Sequence, residues 1–411
     1  MNDIRGEKIA VLDFGSGFSQ DLARKIRAEK VYCEILPANE SLEKILQGNY
    51  KGLVLVGEDA AYIEGVDIPQ LLVKKNAMSG IDFSDFLFEK CRCSPTWSME
   101  AFIEESILSI RQQIGDGRAL CAFSGGVDSA VAAVLVHKAI GDQLQCVFVN
   151  HGLLRKNEFE SVMEIFGKEM GMKLIGVDAR KRFLDDLAGV SDPEKKRKII
   201  GENFIRVFEE EAKKIQDVNF LVQGTIYPDI IESGIGGKLV KSHHNVGGLP
   251  EDIDFKGLIE PLKYLFKNEV REVGLLLGIP EDHVYRQPFP GPGLAVRILG
   301  PITEEKTLIL QDADAIFREE IKKAGLHQEI SQYFAILTDL KTVGVKNKAR
   351  AYDYVLALRA VKTKDFMTAD FVKIPYEVLE RASSRIIDKV DAIGRVVYDI
   401  TAKPPGTVEW E

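Results

Sequence analysis

Ala119-Leu120-Cys121-Ala122-Phe123-Ser124-Gly125-Gly126-Val127-Asp128-Ser129 is the stretch on which the reading of this chain turns. Five apolar residues read as a buried strand, two serines and two glycines make a turn, and 129–140 follows as a helix. A strand that turns through glycines into a helix presents free backbone N–H groups and a partial positive charge at its carboxyl end. The glycines let a ligand approach the backbone, and serine hydroxyls add donors. Such a cradle suits phosphate groups. No Gly-Lys-Ser/Thr closes the turn, so it is not a Walker A loop. Asp128 would repel an anion unless a cation intervenes, which assigns it to Mg²⁺. The plainer alternative is a helix start capped by Ser and Asp. The position after a strand of a parallel sheet favours the phosphate reading.

The alternation continues on both sides. Downstream come strand 145–150, helix 158–170, strand 173–177, helix 193–214, strand 220–223 and helix 267–277, together a doubly wound parallel sheet. Upstream, Ser98 reads as the N-cap of a helix with Glu100 in its first turn, and Phe102, Ile103, Ile107, Ile110 and Ile114 recur at helical spacing. Before it, strands 8–14, 31–36 and 52–56 with helix 18–29 start a further α/β unit. Only one short helix, near 83–90, finds room before residue 94, so this unit is small and incomplete. Residues 224–257 lose periodicity and read as a functional or mobile loop. Arg286-Gln287-Pro288-Phe289-Pro290-Gly291-Pro292-Gly293 is a stiff turn or linker. The remainder mixes helices 303–323 and 376–392 with strands 333–338, 353–360 and 395–401, an α+β unit. The reading is therefore three units, 1–94, 95–290 and 291–411.

Composition narrows the classes. The chain has 411 residues, 45% apolar and 28% charged, with a net charge of −9 carried entirely by the first 290 residues. Disordered, collagen-like and disulfide-scaffold proteins are excluded. An acidic chain is a poor general nucleic-acid binder, and its anionic ligands must be met by local arrangements. No apolar run is long enough for a membrane span. The start lacks a secretory leader, and five cysteines without zinc spacing read as reduced buried thiols, so a cytoplasmic location is expected.

Ser-Gly-Gly-x-Asp-Ser resembles the motif of the ATP pyrophosphatase (PP-loop) family, whose members cleave ATP to AMP and pyrophosphate while adenylating a substrate oxygen. Further segments resemble the GMP synthetases within it, nearly without gaps over about residues 95–411. They are Val149-Asn150-His151-Gly152-Leu153-Leu154-Arg155-Lys156, Gln223 to Ser233, Lys241-Ser242-His243-His244-Asn245-Val246-Gly247-Gly248, the Arg286 to Gly293 turn, and Lys403 to Glu411. The resemblance implies adenylation of the C2 oxygen of xanthosine 5′-monophosphate (XMP) by ATP, then displacement of AMP by ammonia. It implies ATP binding by Ser124, Gly125, Gly126, Val127, Asp128, Ser129 and Val149, with Mg²⁺ on Asp128. It matches Arg155, Arg286, Gln332, Lys403 and Glu409 to XMP-binding positions. Asp229 and Glu232, one helical turn apart, would complete the metal site or position substrates, or are simply acids at a helix start. Lys241 would neutralise charge on the transferring group, with a solvated loop lysine as the alternative. His243 and His244 suit substrate or lid orientation better than metal, because no third ligand is evident. The C-terminal unit resembles a dimerisation domain, so a homodimer is expected. The tail is expected to fold into the site, from its own or the partner subunit.

The N-terminal unit departs from that family. It resembles the two ends of a class I glutamine amidotransferase domain with the middle missing, and no cysteine lies in a Gly-x-Cys-x-Gly elbow. Glutamine hydrolysis by this chain alone is not expected. Ammonia would come from solution or from a separate glutaminase subunit. Rival readings are another PP-loop ligase and a non-catalytic nucleotide-binding protein.

Overall fold

Runs of Val, Ile, Leu and Ala that are apolar at successive positions bury both faces of a strand, and such strands build parallel sheets covered on both sides. The computed structural model describes residues 4–75, 81–215, 217–234, 255–346, 348–363 and 367–411, with the side chains of 232–234 excepted. Two parallel sheets and one mixed sheet are present among them.

The first sheet has β1 (Lys8–Asp13) between β2 (Tyr32–Pro37) and β3 (Tyr50–Val56), with β4 (Gln70–Val73) beyond β3. Helix α1 (Ser19–Ala28) follows β1 and α2 (Leu42–Gln47) follows β2. Ile9 and Val11 face α1, Phe86 and Leu87, whereas Ala10 and Leu12 face Ile45 of α2. The sequence pattern held three strands here and the structure holds four. A four-residue strand and a six-residue helix are too short to show a period. The first of these cores also takes in Tyr227 and Phe266 from the next unit.

The second sheet begins after α3 (Met99–Ile114), whose N-cap Ser98 accepts a hydrogen bond from the Ala101 N–H, as its sequence predicts. Then come β5 (Arg118–Ala122), α4 (Val127–Ile140), β6 (Leu144–Asn150), α5 (Glu158–Val162) extended by a wider helical turn over Met163–Glu169, β7 (Leu174–Asp178), α6 (Arg180–Asp186), α7 (Pro193–Ala212) and β8 (Val218–Val222). Helix α8 (Tyr227–Gly234), β9 (Gly257–Ile259), α9 (Lys267–Leu276) and α10 (Glu281–Val284) complete it. The strand order is β7-β6-β5-β8-β9, so the chain reverses direction across the sheet at β5. Ligands of open parallel sheets sit at that reversal, beyond the strands' carboxyl ends. The 224–257 stretch is not wholly irregular: α8 lies in it, and β9 starts at its end.

The third unit contains α11 (Glu304–Lys323), the long antiparallel pair β10 (Gln332–Lys346) and β11 (Ala349–Lys362), β12 (Asp370–Phe371), α12 (Tyr376–Lys389) and β13 (Ile393–Asp399), the last running parallel to β11. Leu120, Val147 and Val149 of the second sheet share one core with Leu310, Phe317, Leu337 and Leu356 of this unit. The two units are therefore packed as one body around the reversal point. Among the described residues no helix is long and apolar enough to cross a membrane.

Candidate functional site

The Ser124–Ser129 turn sits where β5 delivers it, at the sheet's reversal. Phe123, directly before it, packs edge-on against Phe148 and is tied by its N–H to the Val147 carbonyl at 2.9 Å. Gly125 has φ +74°, a conformation that L side chains rarely adopt. Gly126 is the N-cap of α4, so the free N–H groups of that helix open onto the turn. The Ser124 and Ser129 hydroxyls lie 2.8 Å apart, and Ser129 Oγ donates to the Gly126 carbonyl at 3.0 Å. Val149, near the end of β6, is buried beside this sheet edge. Gly224, after β8, presses its backbone on the same turn: a Cβ there would lie 2.9 Å from the Asp128 carbonyl carbon and the Ser129 nitrogen.

Asp128 is held by Lys267, whose Nζ donates to both carboxylate oxygens at 2.7 Å. Sequence reasoning missed Lys267. Its signal was a lysine at the first position of a helix, where acids are favoured. A cation thus already stands beside Asp128 where one was required. Asp229 caps its own helix, accepting from the Ile226 N–H at 3.0 Å, the role open to any acid at a helix start. The side chain of Glu232, and all of Lys241, His243 and His244, lie outside the described residues. Among the described residues no group of three or more His, Cys, Asp or Glu could hold a metal ion.

A second cluster lies next to the turn. Arg155 is buried, with its guanidinium 4.4 Å from the ring of Phe289. Its Nε and Nη2 have no hydrogen-bond partner. Burial and the nearby Arg318 and Arg297 all work against its charge, with Asp314 and Glu158 opposing them. Arg297, 1% exposed, lies 3.9 Å from the Phe334 ring and 5.3 Å from Phe289. It grips Glu409 through Nε and Nη2 at 2.9 and 2.7 Å, while Nη1 is unpartnered. Gln332 is buried with Oε1 unpartnered. Buried donors without partners are rare, because each forfeits its hydration. Arg155 and Arg297, on either side of Phe289, thus strand three guanidinium nitrogens, the chemistry of a site for a polar anion. Arg297, Phe289 and Arg318 were not singled out from sequence. A lone arginine inside Leu294-Ala295-Val296-Arg297-Ile298-Leu299 was the available signal.

One chain of contacts joins the two clusters. The Arg155 N–H donates to Glu158 at 3.0 Å, Glu158 pairs with Arg286, and Arg286 donates to the Gly125 carbonyl. Burial opposes the Glu158 carboxylate, but Arg286 and Arg155 hold it below the usual carboxylate range. Arg286 thus braces the glycine turn.

The tail belongs to the same chain as the site. Arg359, fully buried, donates to the carbonyls of Thr407 at 2.6 Å, Val408 at 2.8 Å and Thr401 at 3.0 Å. Lys196, also fully buried, pairs with Glu411 and donates to the Ile298 carbonyl at 2.7 Å. Lys403 is fixed through its backbone, which pairs with Ala369. These anchors place Glu409 on Arg297.

A family model described as the GMP synthase C terminal domain matches residues 319–410. The glutamine-hydrolyzing GMP synthase of Acetivibrio thermocellus is 49% identical over 511 aligned positions, covering 99% of this chain and 100% of that protein. That of Ruminiclostridium cellulolyticum is 47% identical over 511 positions, again covering 99% of this chain and 100% of that protein. Since this chain has 411 residues, about 100 positions of each relative have no counterpart here. Among solved structures, the NMN synthetase from Francisella tularensis is 16% identical with a TM-score of 0.37, covering 48% of this chain and 78% of that one. On the identity and coverage of these relatives, the chain belongs to the GMP synthase family.

Proposed function

We propose that this chain is an ATP-dependent ligase that makes GMP from XMP and ammonia. The XMP C2 oxygen attacks the α-phosphorus of ATP and pyrophosphate leaves. Ammonia then adds to C2, loses a proton, and AMP departs with that oxygen. The observation that carries this reading is the coupling of the glycine turn to the buried, under-partnered Arg155–Arg297 pair through Glu158 and Arg286. That coupling supports a triphosphate at the turn with a second anion beside it, the arrangement a two-nucleotide reaction requires.

Ser124, Gly125, Gly126, Val127, Asp128 and Ser129 hold the leaving pyrophosphate, with the α4 N-terminus and Lys267 offsetting its charge. Val149 lines the adenosine side. Lys241 adds a second cation, and Asp229 and Glu232 position substrate. Arg155 takes the XMP phosphate, a group that accepts a guanidinium fork. Arg286, Gln332, Lys403 and Glu409 complete the XMP site, and Arg297 fixes the Glu409 carboxylate. Magnesium binds through one or two carboxylates plus substrate phosphates, and Asp128 is the one carboxylate at the turn; Lys267 already holds both of its oxygens, so an ion there would share that carboxylate with Lys267. When bound there it neutralises phosphate charge.

Ammonia, rather than glutamine, is the nitrogen source of the isolated chain. All five cysteines are buried. Burial pushes the Cys33 and Cys93 thiols up to about 11 and Cys91 up to about 12. A nucleophilic cysteine needs the opposite shift and an exposed elbow. Residues 1–94 are then a truncated amidotransferase-like unit, 95–290 the ATP pyrophosphatase unit and 291–411 the dimerisation unit. A homodimer is supported by the outer half of the β10–β11 hairpin, where Val343, Val345 and Tyr352 are 58%, 76% and 64% exposed and Val343 stands opposite Tyr352.

The test is to give the purified protein ATP, Mg²⁺ and XMP with either ammonium or glutamine. GMP, AMP and pyrophosphate in equal amounts from ammonium alone are expected. No AMP from either source overturns the ligase, and GMP from glutamine overturns the lost glutaminase.

A further inference from the structure

Arg27 of α1 is a cation enclosed between two units. Its guanidinium carbon lies 4.7 to 5.3 Å from the ring centres of Phe266, Tyr32, Tyr227 and Trp97. Nη1 donates to Glu269 at 2.7 Å and to the Tyr264 carbonyl at 2.7 Å, and Nη2 donates to the Cys33 carbonyl at 2.8 Å. Nε of Arg27 has no partner, whereas both oxygens of Glu269 are engaged. One oxygen accepts from Arg27 and from the Phe266 N–H at 2.7 Å, and the other accepts from Trp97 Nε1 at 2.7 Å. Three segments of the chain thus converge on one buried carboxylate.

The Phe266 N–H is the N-cap amide of α9, so Glu269 closes the first turn of that helix. The first residue of the helix is Lys267, which grips Asp128. The other element against the glycine turn is anchored in the same place. Ile35 of β2 donates to the Tyr227 hydroxyl at 2.5 Å, at the start of α8, three residues after the Gly224 backbone that abuts Asp128. Both walls of the turn are therefore seated on the N-terminal unit. A buried ion pair is a weak source of net stability compared with apolar packing, whereas it fixes register and orientation. An Arg–Glu node at this junction makes sense as an aligning device.

We propose that the N-terminal unit positions the ATP site, with Arg27 and Glu269 as positioning residues that act through the first turn of α9 to set Lys267 against Asp128. This rests on reading Ser124–Ser129 as the ATP site. It gives the truncated unit a role that needs no glutaminase chemistry: without it Glu269, which closes the first turn of α9, would lose the Arg27 fork that orients it, and Lys267 would lose its fixed approach to Asp128. A displacement of about 1 Å in such a positioning group is enough to cost on the order of 100-fold in rate.

The test measures XMP-dependent pyrophosphate release with ammonium, varying ATP and XMP separately, in the full chain. Arg27→Lys keeps the charge and loses the fork. Glu269→Gln keeps the shape and loses the charge. Each is expected to lower kcat/KM for ATP about tenfold while KM for XMP stays within twofold. The double variant is expected to be no worse than the poorer single one, because both act on one path. Tyr50→Phe, in the same unit but bonded to Glu34, is expected to match wild type. Should either node variant fail to fold, Trp97→Phe removes one donor to Glu269 and carries the same expectation. Lower melting temperatures with unchanged ATP parameters, or equal losses for ATP and XMP, overturn the proposal. A wild-type chain without XMP-dependent pyrophosphate release overturns the reading of the ATP site itself, before any variant is compared.

Discussion

Lowering the pH from about 7 to about 5 should destabilise the central unit through two histidines that fold shut around neutral rings. His151 is buried against Phe183 and Phe204, and its Nδ1 accepts from the Leu153 N–H at 3.3 Å. Burial pushes its imidazole down to about 4, with Glu158 opposing weakly. His283, edge-on to Phe166, is pushed down to about 4 by burial and then by Arg286. In the unfolded chain both titrate near 6.5. Between 6.5 and 4 the unfolded state therefore binds more protons, so stability is full above 6.5 and falls as pH drops. At pH 5 the deficit is about 2 kcal/mol per imidazole, about 4 kcal/mol for the pair. The depressed carboxylates Glu158, Glu320 and Asp399 lose their contribution only below about 4.5, beneath this window. Trp97, buried in the same core as Phe166, reports unfolding by fluorescence. Guanidinium unfolding at the two pH values should show the difference in wild type and about half of it in His151→Asn and in His283→Phe. A wild type equally stable at both values, or a pH effect that survives each substitution in full, refutes the reasoning.

Gly224→Ala places a methyl group 2.9 Å from backbone atoms of Asp128 and Ser129, which cannot yield as a side-chain tip can. We expect kcat/KM for ATP to fall about 100-fold at unchanged circular dichroism, and a fall below twofold would remove Gly224 from the site. Arg155→Met removes a buried fork while keeping bulk, so KM for XMP should rise by roughly 30-fold or more with KM for ATP within twofold, measured by initial rates. Tyr352→Asp puts a charge on the exposed hairpin face and should convert dimer to monomer in sedimentation; a wild type that is itself monomeric at micromolar concentration refutes that assignment.

What the sequence made legible depended on element length and on local chemistry. The strand–turn–helix at 119–140, the Ser98 cap and the long α7 and α11 were readable because each carries its pattern within a few residues of itself. Strand β4 and helix α2 were not, since four to six residues hold too little period. The candidate phosphate turn stands out by its own glycines and serines, whereas Lys267 was missed because it lies 139 residues from Asp128 and only the fold brings it there. Arg27 and Glu269 stand in helices α1 and α9, and nothing in the sequence around either marks it as buried. Their burial is a property of the junction between units, which neither helix encodes alone. The same holds for Arg297, which stands in an apolar run and meets its partner Glu409 only through the fold of the tail.

The central claim is that ATP activates the C2 oxygen of XMP by adenylation at this site. XMP carrying oxygen-18 at that position tests it most directly, with ATP, Mg²⁺ and ammonium and the products separated for mass spectrometry. The account predicts one labelled oxygen in the phosphate of AMP, none in pyrophosphate, and GMP without label. Label in pyrophosphate or inorganic phosphate, or unlabelled AMP alongside GMP, contradicts it.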